Sequence, residues 1–213
     1  MKEKIIRYSW FIIGIIINSF GIAFITKSAL GTSQISSIPY VMSLQFNEIS
    51  FGMWTFILNM LFIAGQMVLL RKEFHPVQFL QIPANIVFSW LIDVSMKVLG
   101  AFQPEKLWIK FPCLIAGCFL LAFGIAIEVA PDVITVPGEG IVRVIAKVSG
   151  KRFGTVKVYF DVILIVIAAI LSFIFFGKLQ GVGIGTVISA IVVGKFVNFI
   201  NHYFPLIRRI SSE

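Results

Sequence analysis

SFGIAF (residues 19–24) recurs as AFGIAI (122–127), and ISFGMWTFILN (49–59) recurs as KRFGTVKVYFD (151–161), at offsets of 103 and 102 in a chain of 213 residues. Carried on at 102, QFLQIPANIVFSWLIDV (78–94) falls over QGVGIGTVISAIVVGKF (180–196). Identities are few, but the order of apolar runs and loops repeats with them. The chain therefore reads as two copies of one unit, residues 1–101 and 102–213.

The solvent of that unit follows from composition. Hydrophobic residues make up 58% of the chain and charged residues 13%, with a mean hydropathy of +0.97. Soluble domains carry about a quarter charged residues, so most of this chain is built for lipid. A helix crossing the hydrocarbon core needs about 20 apolar residues, and six runs qualify: 8–26, 51–70, 78–99, 108–130, 156–176 and 182–204. Basic residues precede the first run, as in a secretory signal. That run is longer than a signal core and no small-x-small site follows it, so it is expected to remain as a helix.

The predicted fold is an all-α membrane protein with three spans per unit. The segments 27–50 and 131–155 are too long for turns, and each holds a short apolar stretch, 35–44 and 141–148. Such a length suits a half-helix or an interfacial helix after the first span of each unit. Three is an odd number, so the second unit must enter from the opposite face. The repeat is then inverted, an arrangement shared by many secondary transporters.

Charge sets the expected orientation. The net charge of +8 lies beside and between the apolar runs, which argues against nucleic acid as a partner. With six spans, one side carries Lys2, Lys4, Arg7, Arg71, Lys72, Arg143, Lys147, Lys151, Arg152, Arg208 and Arg209, and the other carries Lys27, Lys106, Lys110 and Lys178. The excess places both termini in the cytoplasm. Cys113 and Cys118 share one apolar run and read as small buried residues. Neither a metal nor a cofactor is expected.

Polar residues inside the spans are the candidate site. Under the repeat Lys195 falls opposite Asp93, both deep in the last span of their unit. Each is expensive there, so an Asp93–Lys195 pair near the pseudo-twofold axis is expected. Gln81, Asn85, Ser89 and Asp93 recur every four residues, a helical stripe that should face protein or water. In the last span Gly181, Gly185, Ser189 and Gly194 suit close helix packing. Thr32, Ser33 and Gln34 precede the first short helix, and Thr135, Gly138 and Glu139 hold the aligned place before the second. If these helices dip into the membrane, their N-termini present N–H groups and positive dipole ends to the middle. The alternative is a pair of interfacial helices, the second of which Arg143 and Lys147 would suit. Lys157 and Asp161 are spaced for a structural ion pair, and Glu128 is expected near the interface in solvent.

TVPGEGIVRVIAK (135–147), RFGTVKVYFD (152–161) and GIGTVISAIVVG (183–194) resemble recurrent segments of the YczE/YyaS/YitT-type family of bacterial integral membrane proteins. The likeness is strongest over residues 134–200 and looser in the first half. It implies a bacterial cytoplasmic-membrane protein of five or six spans. It implies no activity and transfers no catalytic residues.

The expected function is transport of a small molecule or ion by alternating access between the halves. Lys195 and the half-helix N-termini would receive an anion, or Asp93 would carry a proton. The alternative is a substrate-binding or accessory membrane subunit of a larger complex, working beside partner subunits or further copies of the chain. The spans contain no H-E-x-x-H, no G-x-S-x-G and no paired histidines, so no enzyme is expected.

Overall fold

A computed structural model describes residues 2–204 and Ile210, with side chains from Ile5 onward. Arg208, Arg209 and the side chains of Lys2 and Lys4, all used in the orientation count, lie outside the described residues. The regular secondary structure of the described residues is all helical, without strands. In chain order the helices are α1 (Lys2–Lys27), α2 (Ser37–Gln45), α3 (Phe51–Leu70), α4 (Gln81–Val98), α5 (Leu107–Val129), α6 (Pro137–Ser149), α7 (Phe153–Phe176) and α8 (Ile184–Tyr203). Two short 3₁₀ segments, Arg71–Glu73 and Pro76–Leu80, join α3 to α4.

Six helices, all but α2 and α6, are long and apolar enough to cross a membrane, the expected number in the expected places. The protein is a multi-pass membrane protein. Large apolar side chains along α7, among them Val162, Ile163, Ile170 and Ile174, are exposed on the bundle surface, where lipid covers them. The short helices follow α1 and α5 as expected, but α6 starts a turn before the apolar stretch. Pro137 occupies its first turn, where the missing N–H of proline is no loss.

At the centre α1 packs on α5, the most extensive contact between any two helices. It is made possible by four glycines. A Cβ built on Gly14 would lie 2.5 Å from the backbone nitrogen of Glu128, and one on Gly21 would lie 2.5 Å from that of Leu121. From the other side, Gly117 meets the backbone of Ile25, and Gly124 meets that of Asn18. Contacts that climb α1 descend α5, so the two helices run antiparallel. Ile15, Ile22, Ile25, Leu114, Leu121 and Ile127 fill the core around the crossing. The guanidinium of Arg7 donates to the Pro131 carbonyl at one end of this pair.

The other helices are arranged about this pair in matching fashion. α4 lies on α1 as α8 lies on α5, and α2 and α6 each sit between α3 and α7. The match breaks at one place. α3 and α4 pack along each other, whereas α7 and α8 have no comparable contact.

Replacing Gly21 with alanine should force the α1 and α5 backbones apart, because the obstructing atom belongs to the main chain. A loss of about 1–3 kcal/mol is expected, read as a lower midpoint of thermal unfolding in detergent. Gly154→Ala, where a Cβ meets nothing within 4 Å, should leave the midpoint unchanged. Equal midpoints for the two variants would count against the crossing.

Candidate functional site

The starts of α2 and α6 meet inside the bundle. A Cβ built on Gly138, in the first turn of α6, would stand 3.0 Å from the Ile35 side chain just ahead of α2. Ser33, Gln34, Ser36 and Ser37 are buried polar residues at the α2 end, and Pro137 and Gly138 are buried at the α6 end. Both helices thus point their positive N-terminal ends at one interior region, although α6 also carries two exposed cations, Arg143 at the edge of that region and Lys147 farther along. Arg143 lies 4.0 Å from Asp132, and Lys147 pairs with Glu73 at 2.7 Å.

That region opens into a cavity of ≈ 1020 Å³. Four of the expected site residues line it: Ser33, Gln34, Gly138 and Glu139. They are joined by polar groups the sequence reading did not single out for a site, namely Asn18 on α1, Thr55 and Asn59 on α3, Glu128 on α5, and Asn198 and Asn201 on α8. Lys157 and Asp161 complete the wall from α7, forming the expected i,i+4 ion pair at 2.9 Å.

Glu128 differs most from expectation. Instead of reaching solvent it is 1% exposed, its carboxylate accepting from the Asn18 amide at 2.8 Å. Gly14 explains the position, since its bare backbone admits the Glu128 backbone one turn from Asn18. The remaining neighbours of this carboxylate are the Val136 backbone and, within electrostatic reach, the like charge of Glu139. A charge near the end of an apolar run looks like an interfacial residue in isolation. Its signal was the pairing of Gly14 with Asn18, a gap and a donor on one helix face.

The Gln81–Asp93 stripe lies elsewhere. It closes α4 onto α3 like a zipper, and none of its four residues lines the cavity. Gln81 and Gln66 exchange amide hydrogen bonds at 3.1 Å in both directions. Asn59 donates to Asn85 at 2.8 Å, Asn85 donates to the Phe56 carbonyl at 3.2 Å, and Ser89 donates to Asn85 at 3.4 Å. At the far end the Asp93 carboxylate accepts from the Gly52 N–H at 2.7 Å and the Ser50 hydroxyl at 2.5 Å. The expected Asp93–Lys195 pair is not formed. The positive end of α3 takes the Asp93 charge, while Lys195 is exposed on α8 and belongs to none of the ion pairs among the described residues.

The remaining expected residues divide between packing and the cavity. Thr32 is buried, its hydroxyl 2.7 Å from that of Thr26 and its N–H donating to Thr186 at 3.1 Å. Gln34 donates to Ser189 at 3.0 Å, which ties the α2 end to α8. Gly185 donates its N–H to the Leu30 carbonyl at 2.8 Å, and Gly181 lies against Tyr40 and Val41. Gly181, Gly185 and Ser189 thus all lie in contact with the segment 30–41. Gly194 does not, since a Cβ there meets nothing within 4 Å and the residue lines the cavity. Thr135 is half-buried ahead of α6, off the cavity.

The arrangement is suited to binding: a large interior space, mostly aliphatic walls, several amides, one internal ion pair and a buried carboxylate. No solved structure matches the chain. Among curated proteins, the uncharacterised protein YyaS of Bacillus subtilis (strain 168) is 24% identical over 209 residues, covering 95% of this chain and 94% of that protein. The expected kinship with a YyaS-type bacterial membrane protein therefore holds over nearly the whole length. A match across residues 5–202, from the first span into the last, places the chain in the family of unknown function DUF6198, to which it belongs.

Proposed function

We propose that the protein carries a small molecule or ion by alternating access between two inverted three-span repeats, residues 1–101 and 102–213. The repeat supplies the geometry for it. Gly14 and Gly21 correspond to Gly117 and Gly124 at the offset of 103, as does Ile35 to Gly138, so the repeat exchanges the contact of Gly14 with Glu128 for that of Gly117 with Ile25, the contact of Gly21 with Leu121 for that of Gly124 with Asn18, and brings the equivalent Ile35 and Gly138 together between the half-helix tips. Broken helices with their N-termini at a central site, on a pseudo-twofold axis, are the working parts of many such carriers.

One observation carries the reading. Gly52 and Gly154 are the equivalent glycines of the two F-G pairs, and they are found in opposite situations. Gly52 is clamped against the Ser89 carbonyl and the Asp93 carboxylate of α4, whereas Gly154 faces open space and lines the cavity. The α3–α4 side is sealed while its counterpart, α7–α8, stands open. Exchanging these two conditions converts access at one face into access at the other, and it needs only that each glycine surface can receive the helix opposite. In the orientation set by the basic residues, with both termini in the cytoplasm of a bacterial plasma membrane, the open mouth is cytoplasmic.

This reading fixes an accessibility experiment. With Cys113 and Cys118 replaced by alanine, a cysteine at Asn198 should react with a membrane-impermeant maleimide applied from the cytoplasmic side. A cysteine at buried Ser89 should be shielded from either side. Adding Asp93→Ala removes charge-assisted hydrogen bonds of ~1.5–3 kcal/mol from the seal, so labelling of the Ser89 cysteine from outside should rise about tenfold or more. If Asp93→Ala lowers stability without exposing that cysteine, the α3–α4 contact is a fixed scaffold and alternating access loses its support. A binding or accessory subunit is separated from a carrier by the purified chain alone in liposomes, since only a carrier moves solute there.

A further inference from the structure

The charges on the cavity do not balance. Its two cationic side chains have acidic partners: Lys157 pairs with Asp161 at 2.9 Å, and Arg143 lies 4.0 Å from Asp132. Glu128 has none. It is 1% exposed, belongs to none of the ion pairs among the described residues, and is held only by the neutral Asn18 amide and the Val136 backbone. Glu139, on the same cavity, adds a second negative charge facing it. A carboxylate removed from water without a counterion is strongly disfavoured, so the compensating positive charge has to come from outside the chain.

The surroundings limit what brings it. Ile22, Leu121, Ile125, Val193 and Val197 form apolar walls around the same space, and ≈ 1020 Å³ is far more than a bare ion fills. Pockets of this kind hold an apolar body by burial and orient it through a few polar groups. We propose that the cavity binds a small organic cation, an apolar body bearing a protonated amine, and that this ammonium and a proton occupy Glu128 in turn. When the cation binds, its ammonium takes the place of the carboxyl proton, which leaves to solvent. One positive charge enters as one departs, and Asn18 stays hydrogen-bonded throughout. The groups that face Glu128 or share its cavity are Glu139 and Arg143 from α6 and Lys157 and Asp161 from α7. α1 contributes the neutral Asn18, and α8 contributes Asn198 and Asn201.

This inference specifies the substrate of the carrier reading, and binding and movement are measured separately. Purified protein in detergent is titrated calorimetrically with phenylethylammonium, with neutral phenylethanol and with anionic phenylpropionate, from pH 5 to pH 8. The ammonium should bind at least tenfold more tightly than either of the others. One proton released per cation bound makes affinity rise about tenfold for each unit of pH increase on the acid side of the Glu128 titration, and level off above it. Glu128→Gln should abolish ammonium binding, and Glu128→Asp should retain part of it. Should Glu128→Gln fail to fold, the pH dependence of wild-type binding decides the matter. Equal binding of phenylethanol, preference for phenylpropionate, no binding of the ammonium, or affinity indifferent to pH would each overturn the proposal. Ammonium binding without flux in proteoliposomes would instead remove the carrier reading and leave the site. Flux of a neutral or anionic solute without ammonium binding would do the reverse.

Discussion

The antiparallel contact of α1 with α5 at four glycines is the constraint around which the other helices are arranged. Lipid gives two apolar helices little reason to associate, so close backbone approach and the dispersion contacts it allows have to supply it. Gly14, Gly21, Gly117 and Gly124 provide that approach at matching positions on the two helices. Because α1 carries α4 while α5 carries α8, and the short helices lie between α3 and α7, this one crossing positions the starts of α2 and α6. It also places Asn18 beside Glu128. The buried carboxylate is thus a product of the packing that forms the centre of the bundle.

The two halves share a layout and divide the polar chemistry unequally. Positions that hold Thr55 and Asn59 in α3 hold Lys157 and Asp161 in α7. In the first half neutral amides interlock in the sealed α3–α4 contact, and the one charge there, Asp93, rests on a helix N-terminus. In the second half the charges face a cavity. This follows from desolvation: amides hydrogen-bonded to each other can be enclosed between helices, whereas charges need water, a counterion or a ligand.

Much of the architecture was legible in the sequence because lipid imposes lengths. The six spans and the two short helices follow from the spacing of apolar runs. The Gln81–Asp93 stripe was legible as a face that lipid would not favour. Its destination was not, since a polar stripe meant for water and one meant for a neighbouring helix have the same period. The complementary stripe of Gly52, Thr55, Asn59 and Gln66 on α3, all buried, was the overlooked clue. Equivalence under the repeat suggested that Asp93 and Lys195 would meet, but equivalent residues approach each other only near the axis. Gly138 and Ile35 lie there, while α4 and α8 are carried outward on opposite members of the central pair. Glu128 was missed for a related reason, because only the register of α1 against α5 turns a terminal charge into an interior one.

The α1–α5 crossing also bears on how the chain is made. α1 is synthesised before α5, and the partner surface that covers Gly14, Asn18 and Gly21 lies about a hundred residues later. At 5–20 residues per second, α1 waits on the order of 5–20 s in the bilayer with an uncovered asparagine and an unfilled glycine groove. During that interval four further segments, α2 to α5, have to be synthesised, and α4 comes to rest on α1 without covering the glycines. The central contact of the finished protein is therefore a late event in its biogenesis. α1 has to persist in lipid on its apolar length alone until that contact forms.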